Sequence, residues 1–404
     1  MEQKNRNSDF GIPALLLRFL GACVYADAAE YYAGLNEPDR AELEAQGKTF
    51  CMTAWFYRYL CDALPQEKKT AYQKIYQMQQ MKAIIDARER KRLYGVLASR
   101  GLRFVPFKGV DLAYRLYPDA ALRVYCDWDI WFHPDDCEKA LAVLADDGWK
   151  KPAFSATAQE VSEEGGVYHY PAHIRGKYII EPHFVLTNFD EIDVYEMWNC
   201  TLDLPDGEGQ RVLTPEMNLL MLTRHAATNS YFHARLPKLL CDAAMIMRKE
   251  KVDFAKLREL ADRWHLPYPG DLLAAFPEFF PADTIAQFNA DAKKTGEFRK
   301  IFELQDIMGE PDYILLLLSR YKESGNAAGG LLKHFRAQTP GRVRRINHLP
   351  EHGAWGRLLW AYLRWFWTRA WRAHSLMQGD HNLQEYASVV ENVESAQKPK
   401  ETEA

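Results

Sequence analysis

The segment from Phe104 to Phe132 constrains the fold of this 404-residue chain more than any other stretch. A short apolar run ends at Lys108 and Gly109, and apolar residues at helical spacing follow it directly. A second apolar and aromatic run, from Leu122 to Phe132, contains two aspartates. We therefore predict a strand, a turn, a helix and a second strand, in this order.

The turn before the predicted helix has the features of a phosphate-binding site. A helix that begins close to Gly109 presents unpaired backbone N–H groups and the positive end of its dipole to a ligand. The missing side chain of Gly109 would let a phosphate group approach the backbone, and Lys108 adds a positive charge beside it. We expect both residues to bind a nucleotide through its phosphates.

Asp127 and Asp129 lie two residues apart, so on a strand they share one face, with their Cα atoms about 6.6 Å apart. Two carboxylates at that distance repel by about 2.5 kcal/mol at an effective dielectric constant of about 20. A divalent cation reverses this balance, and Mg²⁺ binds one or two carboxylates together with substrate phosphate oxygens. The pattern predicts a site for a metal-bound nucleoside triphosphate. The alternative is a solvated acidic pair on an exposed strand face.

Beyond these features, the chain resembles the uncharacterised nucleotidyltransferase family within the DNA polymerase β superfamily. The resemblance covers about Met81 to Leu266. The residues that carry it are Lys108, Gly109, Leu112, Tyr117, Pro118, Arg123, Asp127, Trp128, Asp129, Ile130, Gly148, Trp149, the segment from Ile179 to Phe184 and, in the helical region from Leu219 to Leu266, His225, Leu236 and Asp242. It implies an α+β fold, in which a small mixed-sheet polymerase β-like nucleotidyltransferase module is embedded in a largely helical chain.

The resemblance also implies an activity. It is the transfer of a nucleoside monophosphate group from a nucleoside triphosphate to an acceptor hydroxyl, with Mg²⁺ or Mn²⁺ as cofactor and pyrophosphate as leaving group. The acceptor is left open among RNA, protein and a small molecule. Asp127, Asp129 and Glu181 are the predicted catalytic and metal-binding residues, and Lys108, Gly109 and Arg123 are the predicted nucleotide-binding residues.

Several of these roles have alternatives. Arg123 either contacts the triphosphate or pairs with an aspartate, and His183 either assists the site from the strand face of Glu181 or is a core histidine. The polar candidates in the helical region either act at the site or form buried hydrogen bonds. They are His225, His233 and Asp242. The third carboxylate has nearby alternatives to Glu181, namely Glu163, Glu164, Asp190 and Asp193.

Two other functions are compatible with an Asp-x-Asp pair. A metal-dependent glycosyltransferase also uses such a pair, but it normally needs an α/β nucleotide-binding half upstream, where this sequence has a helical pattern. A non-catalytic scaffold of the same fold is the second rival. The complete set of three carboxylates argues against it, because a decayed site usually loses one member.

Composition narrows the cellular setting. The formal net charge of −4 argues against broad electrostatic binding of nucleic acid. The seven cysteines include no C-x-x-C pair, which is typical of reduced thiols in a cytosol. No apolar run approaches the ~20 residues that a membrane-spanning helix needs. We expect a cytoplasmic protein without a transmembrane segment.

Composition and pattern also divide the chain into regions. The segment from Trp355 to Trp371 holds five tryptophans and several arginines, so it either packs on the helical region or makes a weak contact with a membrane surface. The predicted regions are an N-terminal helical region 1–100, the catalytic α/β module 101–205, a C-terminal helical domain 206–335, an Arg/Trp-rich helical segment 336–392 and a disordered tail 393–404.

Overall fold

The computed structural model describes residues 12–151, 169–186, 189, 192–204, 210–228 and 236–308. The predicted Arg/Trp-rich segment, with Trp355 to Trp371, and the predicted tail 393–404 lie outside the described residues. The predicted boundaries between the other regions stay a prediction.

From residue 12 onward, where the description begins, five helices precede the sheet. They are α1 (Ala14–Tyr25), α2 (Ala28–Gly34), α3 (Glu37–Thr49), α4 (Thr53–Leu60) and α5 (Gln66–Ser99). Asp27 begins α2 by accepting hydrogen bonds from two backbone N–H groups, and Asn36 caps α3 by accepting one, from Asp39. The long helix α5 ends just before Gly101, whose φ of 66° is the backbone conformation that glycine adopts most easily after a helix.

The middle of the chain alternates strands and helices. Its elements are β1 (Phe104–Phe107), α6 (Gly109–Arg115), β2 (Trp128–Phe132), α7 (Cys137–Asp146), β3 (His173–Arg175), β4 (Tyr178–His183), α8 (Val194–Trp198), β5 (Thr201–Asp203) and β6 (Arg211–Leu213). The predicted order of strand, turn, helix and strand between Phe104 and Phe132 is therefore confirmed. A helical region follows, with α9 (Pro215–Thr228), α10 (Leu236–Lys249), α11 (Phe254–Arg263), α12 (Pro269–Ala274), α13 (Ala282–Gln287) and α14 (Ala292–Met308).

Within the described ranges, four strands form one mixed sheet in the order β1-β2-β4-β3. β2 is antiparallel to β1 and parallel to β4, and β3 is antiparallel to β4. Pro182 lies in the interior strand β4, where it is tolerated because β3 pairs only with Tyr178 to Ile180. β5 and β6 form a separate two-stranded antiparallel ladder.

The two faces of the sheet are buried in different hydrophobic clusters. Val105 and Trp131 belong to a cluster shared with the N-terminal helices and with α9 to α12. Phe104 and Ile130 belong to a second cluster, which includes residues of α5 and α7. Since side chains alternate along a strand, Asp129 lies on the same face as Trp131. That face is the one turned toward the C-terminal helices.

The α+β prediction is confirmed: a small mixed sheet lies within a largely helical chain. Among the described residues, no helix combines the length and the apolar character needed to cross a membrane.

Candidate functional site

The parallel pairing of β2 with β4 places two predicted catalytic residues side by side. Asp129 is directly opposite Glu181 in this register. The Nε2 of His183 donates a hydrogen bond of 3.0 Å to Asp129 Oδ1 and lies 3.9 Å from Glu181 Oε2. One ligand atom from each of these three residues lies within 4.8 Å of the other two.

Asp129 is charged although it is buried. Lys108 Nζ donates a hydrogen bond of 2.8 Å to its Oδ1, the same oxygen that accepts from His183. Burial alone would raise the pKa of Asp129, but the Lys108 ammonium and the His183 hydrogen bond outweigh it, and the pKa falls below its usual value. The carboxylate is therefore ionised and fixed in orientation before any ligand binds.

Asp127 has a different environment. It is half-buried and lies in the turn before β2, so it is not a strand residue as predicted. Burial raises the pKa of Asp127, and the Asp129 carboxylate raises it further, while Lys108 lowers it. Asp127 is not part of the three-residue cluster of ligand atoms, but it lines the same cavity.

Glu181 and His183 complete the cluster. Burial raises the pKa of Glu181, His169 acts in the opposite direction, and Asp129 raises it further. Burial also lowers the pKa of the inaccessible His183 to about 4, against its hydrogen bond to Asp129. His183 is thus a neutral imidazole beneath the carboxylates, and its Nε2–H orients Asp129.

Backbone geometry and packing explain the residues of the turn that leads into α6, where we expected a phosphate-binding site. Lys108 has φ 56° and ψ −136°, a conformation that favours glycine and costs of order 1–3 kcal/mol for another residue. Gly109 lacks a side chain because a Cβ there would lie 2.6 Å from the Cβ of Tyr125. The packing of Tyr125 therefore accounts for Gly109 without a phosphate.

Arg123 pairs with an aspartate, as one of its two predicted roles required. Its Nε and Nη2 donate hydrogen bonds of 2.7 and 2.8 Å to the two carboxylate oxygens of Asp242 on α10. Tyr117 donates a further bond of 2.7 Å to Asp242. Burial alone would lower the pKa of Arg123, but Asp242 outweighs it and raises the pKa. This buried pair ties the loop before Asp127 to the helical region.

Of the four alternative residues for the third carboxylate, Asp193 has a structural role. Asp193 caps α8, where its side chain accepts the backbone N–H of Glu196. Three other carboxylates and one histidine lie outside the described residues; they are Glu163, Glu164, Asp190 and His233.

A cavity of about 470 Å³ joins the sheet to the helical region, within the size range of small-molecule sites. Among the described residues, every predicted site residue except the fully buried His183 lines it, and they are Lys108, Gly109, Arg123, Asp127, Asp129, Glu181, His225 and Asp242. Sequence reasoning missed Tyr125, His169 and Lys238 as lining residues. Lys238 alone had a signal, because it lies four residues before Asp242 and so shares its helix face.

The donor set suits a divalent cation. Two carboxylates and one imidazole can together hold a metal ion, and the Asp129 and Glu181 oxygens are ligands that hard cations prefer. Because the Nε2–H of His183 is directed at Asp129, this histidine supports a ligand in the metal-free protein.

The chain was compared with curated proteins, solved structures and protein-family models. No curated protein and no solved structure matches the chain significantly. A family model for the uncharacterised nucleotidyltransferases matches residues 58–274, more than half of the chain, and this range encloses the whole sheet, the cavity residues Lys108 to Asp242 and helices α5 to α12. The chain therefore belongs to the uncharacterised nucleotidyltransferase family.

Proposed function

We propose that the cavity transfers a nucleoside monophosphate group from a nucleoside triphosphate to an acceptor hydroxyl and releases pyrophosphate, with Mg²⁺ or Mn²⁺ as cofactor. The observation that carries this proposal is the register of Asp129 against Glu181 at one cavity wall. Two carboxylates on neighbouring strands, with Asp127 beside them, supply the oxygen ligands that Mg²⁺ prefers.

Each carboxylate has a distinct part in this proposal. Asp129 is ionised, and Lys108 and His183 orient it, so it presents a charged carboxylate to the cation. Asp127 lies at the same cavity and provides a further oxygen ligand. The chemistry that Mg²⁺ supplies in such a site is polarisation of a phosphoryl oxygen and stabilisation of the leaving pyrophosphate.

Glu181 is suited to accept the proton of the acceptor hydroxyl. Its pKa is raised by burial and by the neighbouring aspartates, which makes it a stronger base than an ordinary carboxylate. Lys108 and the backbone at Gly109 lie beside Asp129, where they contact the phosphates, and Arg123 is held at the cavity by Asp242. The acceptor is an RNA, a protein or a small molecule.

The test measures transfer of a labelled α-phosphate to an acceptor and release of pyrophosphate. Purified protein is incubated with Mg²⁺, cell lysate and each of the four nucleoside triphosphates, labelled at the α-phosphate. We expect pyrophosphate together with a labelled acceptor. Glu181→Gln should suppress both products without abolishing nucleotide binding, while Glu138→Gln, which changes an exposed carboxylate on α7, should leave them intact.

Two outcomes would replace the proposal. Release of a nucleoside diphosphate from a sugar nucleotide, with no pyrophosphate from any nucleoside triphosphate, would identify a glycosyltransferase. Inertness toward every donor, with nucleotide binding retained, would identify a non-catalytic scaffold.

A further inference from the structure

Among the residues that the structure describes, three basic side chains other than histidine line the cavity, and two of them are already paired. Lys108 donates a hydrogen bond of 2.8 Å to Asp129, and Arg123 forms a bidentate ion pair with Asp242. Lys238, on α10, forms no ion pair or hydrogen bond with any residue in the described part of the chain. Among the described lysines and arginines that line the cavity, Lys238 is therefore the one that has no carboxylate in direct contact.

The position of Lys238 is unfavourable for a cation. It is the third residue of α10, so it lies at the positive end of the helix dipole. Its side chain is half-buried, and the pKa of Lys238 is lowered first by burial and then by the Arg123 guanidinium. A bound anion would offset all three effects.

The proposed donor brings such an anion into the cavity. A terminal phosphate carries about −1.5 to −2 charges at neutral pH. The charges of Lys108 and Arg123 are largely cancelled by Asp129 and Asp242, so these residues leave most of the phosphate charge uncompensated. Lys238 lines the same cavity as the metal-binding carboxylates and can supply the missing positive charge.

We propose that Lys238 is a donor-binding residue, whose ammonium contacts the terminal phosphates of the nucleoside triphosphate from the helical side of the cavity. This inference rests on the proposed function, since it names a contact to the donor of that reaction.

The probe is inorganic tripolyphosphate with Mg²⁺, which presents the phosphates without a base or sugar. Binding by the full-length protein is measured by calorimetric titration for wild type, Lys238→Met and Lys238→Arg. We expect Lys238→Met to weaken binding at least about tenfold and Lys238→Arg to retain most of it. Lys249→Met is the matched control, because it removes the same charge from the exposed far end of the same helix.

A second readout separates binding from folding. Replacing an unfavourably placed cation by an apolar side chain of similar length should leave the melting temperature of the metal-free protein unchanged or raise it. A lysine with a structural role would instead lower the melting temperature on replacement, with no selective loss of tripolyphosphate. Loss of binding together with unchanged or higher stability is the combination that supports the proposal.

The remaining outcomes decide against it. Absence of tripolyphosphate binding by the wild type, equal affinity of Lys238→Met, or an equal loss in Lys249→Met would each overturn the role of Lys238. If Lys238-dependent binding is found but no nucleoside triphosphate yields pyrophosphate, the phosphate contact stands and the transferase proposal fails.

Discussion

The ammonium of Lys108 lies 2.8 Å from the Oδ1 of Asp129, and both side chains are largely shielded from solvent, with exposed fractions of 15% and 6%. Removal of either charge leaves the other one buried without its partner. Asp127, two residues before Asp129, forms no ion pair with a described residue and has a raised pKa. Substitution by asparagine at Asp127 and at Asp129 should therefore have different effects on the stability of the protein.

We expect Asp129→Asn to lower the free energy of unfolding by about 3 kcal/mol, because it leaves the Lys108 ammonium unpaired. Asp127→Asn should leave stability unchanged or improve it. Both should lose Mg²⁺-dependent nucleotide binding, so Asp127→Asn is the cleaner test of the metal site. Denaturant unfolding without metal and calorimetry with metal measure the two effects. Equal nucleotide affinity of the wild type with and without Mg²⁺ would refute the metal-site assignment.

The backbone of Lys108 provides a matched pair of variants. Lys108→Gly and Lys108→Ala both remove the ammonium, but glycine adopts φ 56° without the steric cost that alanine keeps. We expect the glycine variant to be more stable than the alanine variant by about 1 kcal/mol. Both should bind a nucleoside triphosphate more weakly than wild type. Equal denaturant midpoints for the two variants would show that the backbone at Lys108 is not strained.

Two glycine-to-alanine substitutions should change stability in opposite directions. At Gly109 a Cβ would meet Tyr125 at 2.6 Å, so Gly109→Ala should destabilise the protein by about 1–3 kcal/mol. Gly95 lies within α5, and a Cβ there would contact nothing within 4 Å. Gly95→Ala should therefore stabilise the protein by about 0.5–1 kcal/mol. Thermal melting of the two variants checks both signs, and a neutral Gly109→Ala would show that Tyr125 can move aside.

The Arg123–Asp242 pair should show strong coupling. Asp242→Asn keeps an oxygen that accepts from Tyr117 but leaves the buried guanidinium unpaired, so we expect a loss of about 3–5 kcal/mol. Adding Arg123→Met should recover part of that loss, because the unpaired charge is gone. A double-mutant cycle in denaturant measures the coupling energy. Additive losses would mean that the pair contributes nothing to the stability of the loop before Asp127.

Buried histidines should make the metal-free protein less stable in mild acid. His173 on β3 is buried, and burial lowers its pKa below the usual 6.5. As the pH drops below about 6.5, His173 is therefore protonated in the unfolded chain while it is still largely neutral in the folded protein. The free energy of unfolding falls as a result. His173→Asn retains a donor for the Pro171 carbonyl and should reduce this slope by up to about 1.4 kcal/mol per pH unit. The slope is read from denaturant unfolding between pH 7 and 5, and an unchanged slope would show that His173 titrates normally in the folded protein.

The sequence alone was sufficient for the local features of the site. The order of strand, turn, helix and strand between Phe104 and Phe132 follows from spacing and residue type, which act over a few residues. The family assignment also comes from the sequence, through the match over residues 58–274. The placement of Asp127 just before its strand, and not within it, is the kind of small boundary error that spacing alone leaves.

Other features depended on contacts between distant parts of the chain. The register of β4 on β2 puts Glu181 opposite Asp129, and the capping role of Asp193 removes one competing carboxylate. The helical pattern of residues 1–100 did not show which face of α5 is buried, and Met78 and Met81 on this helix are 73% and 58% exposed. Helical spacing shows which residues share a face, while burial depends on what packs against that face.

The cavity shows the same division between sequence and tertiary structure. Sequence motifs identified Lys108 and Arg123 as basic residues at the site. Only the fold shows that they form ion pairs with Asp129 and Asp242. The partner of Arg123 lies 119 residues away, a separation over which periodicity carries no information. The charge left for a ligand is the sum of such contacts, so only the tertiary structure shows that Lys238 lines the cavity without an ion-pair partner among the described residues.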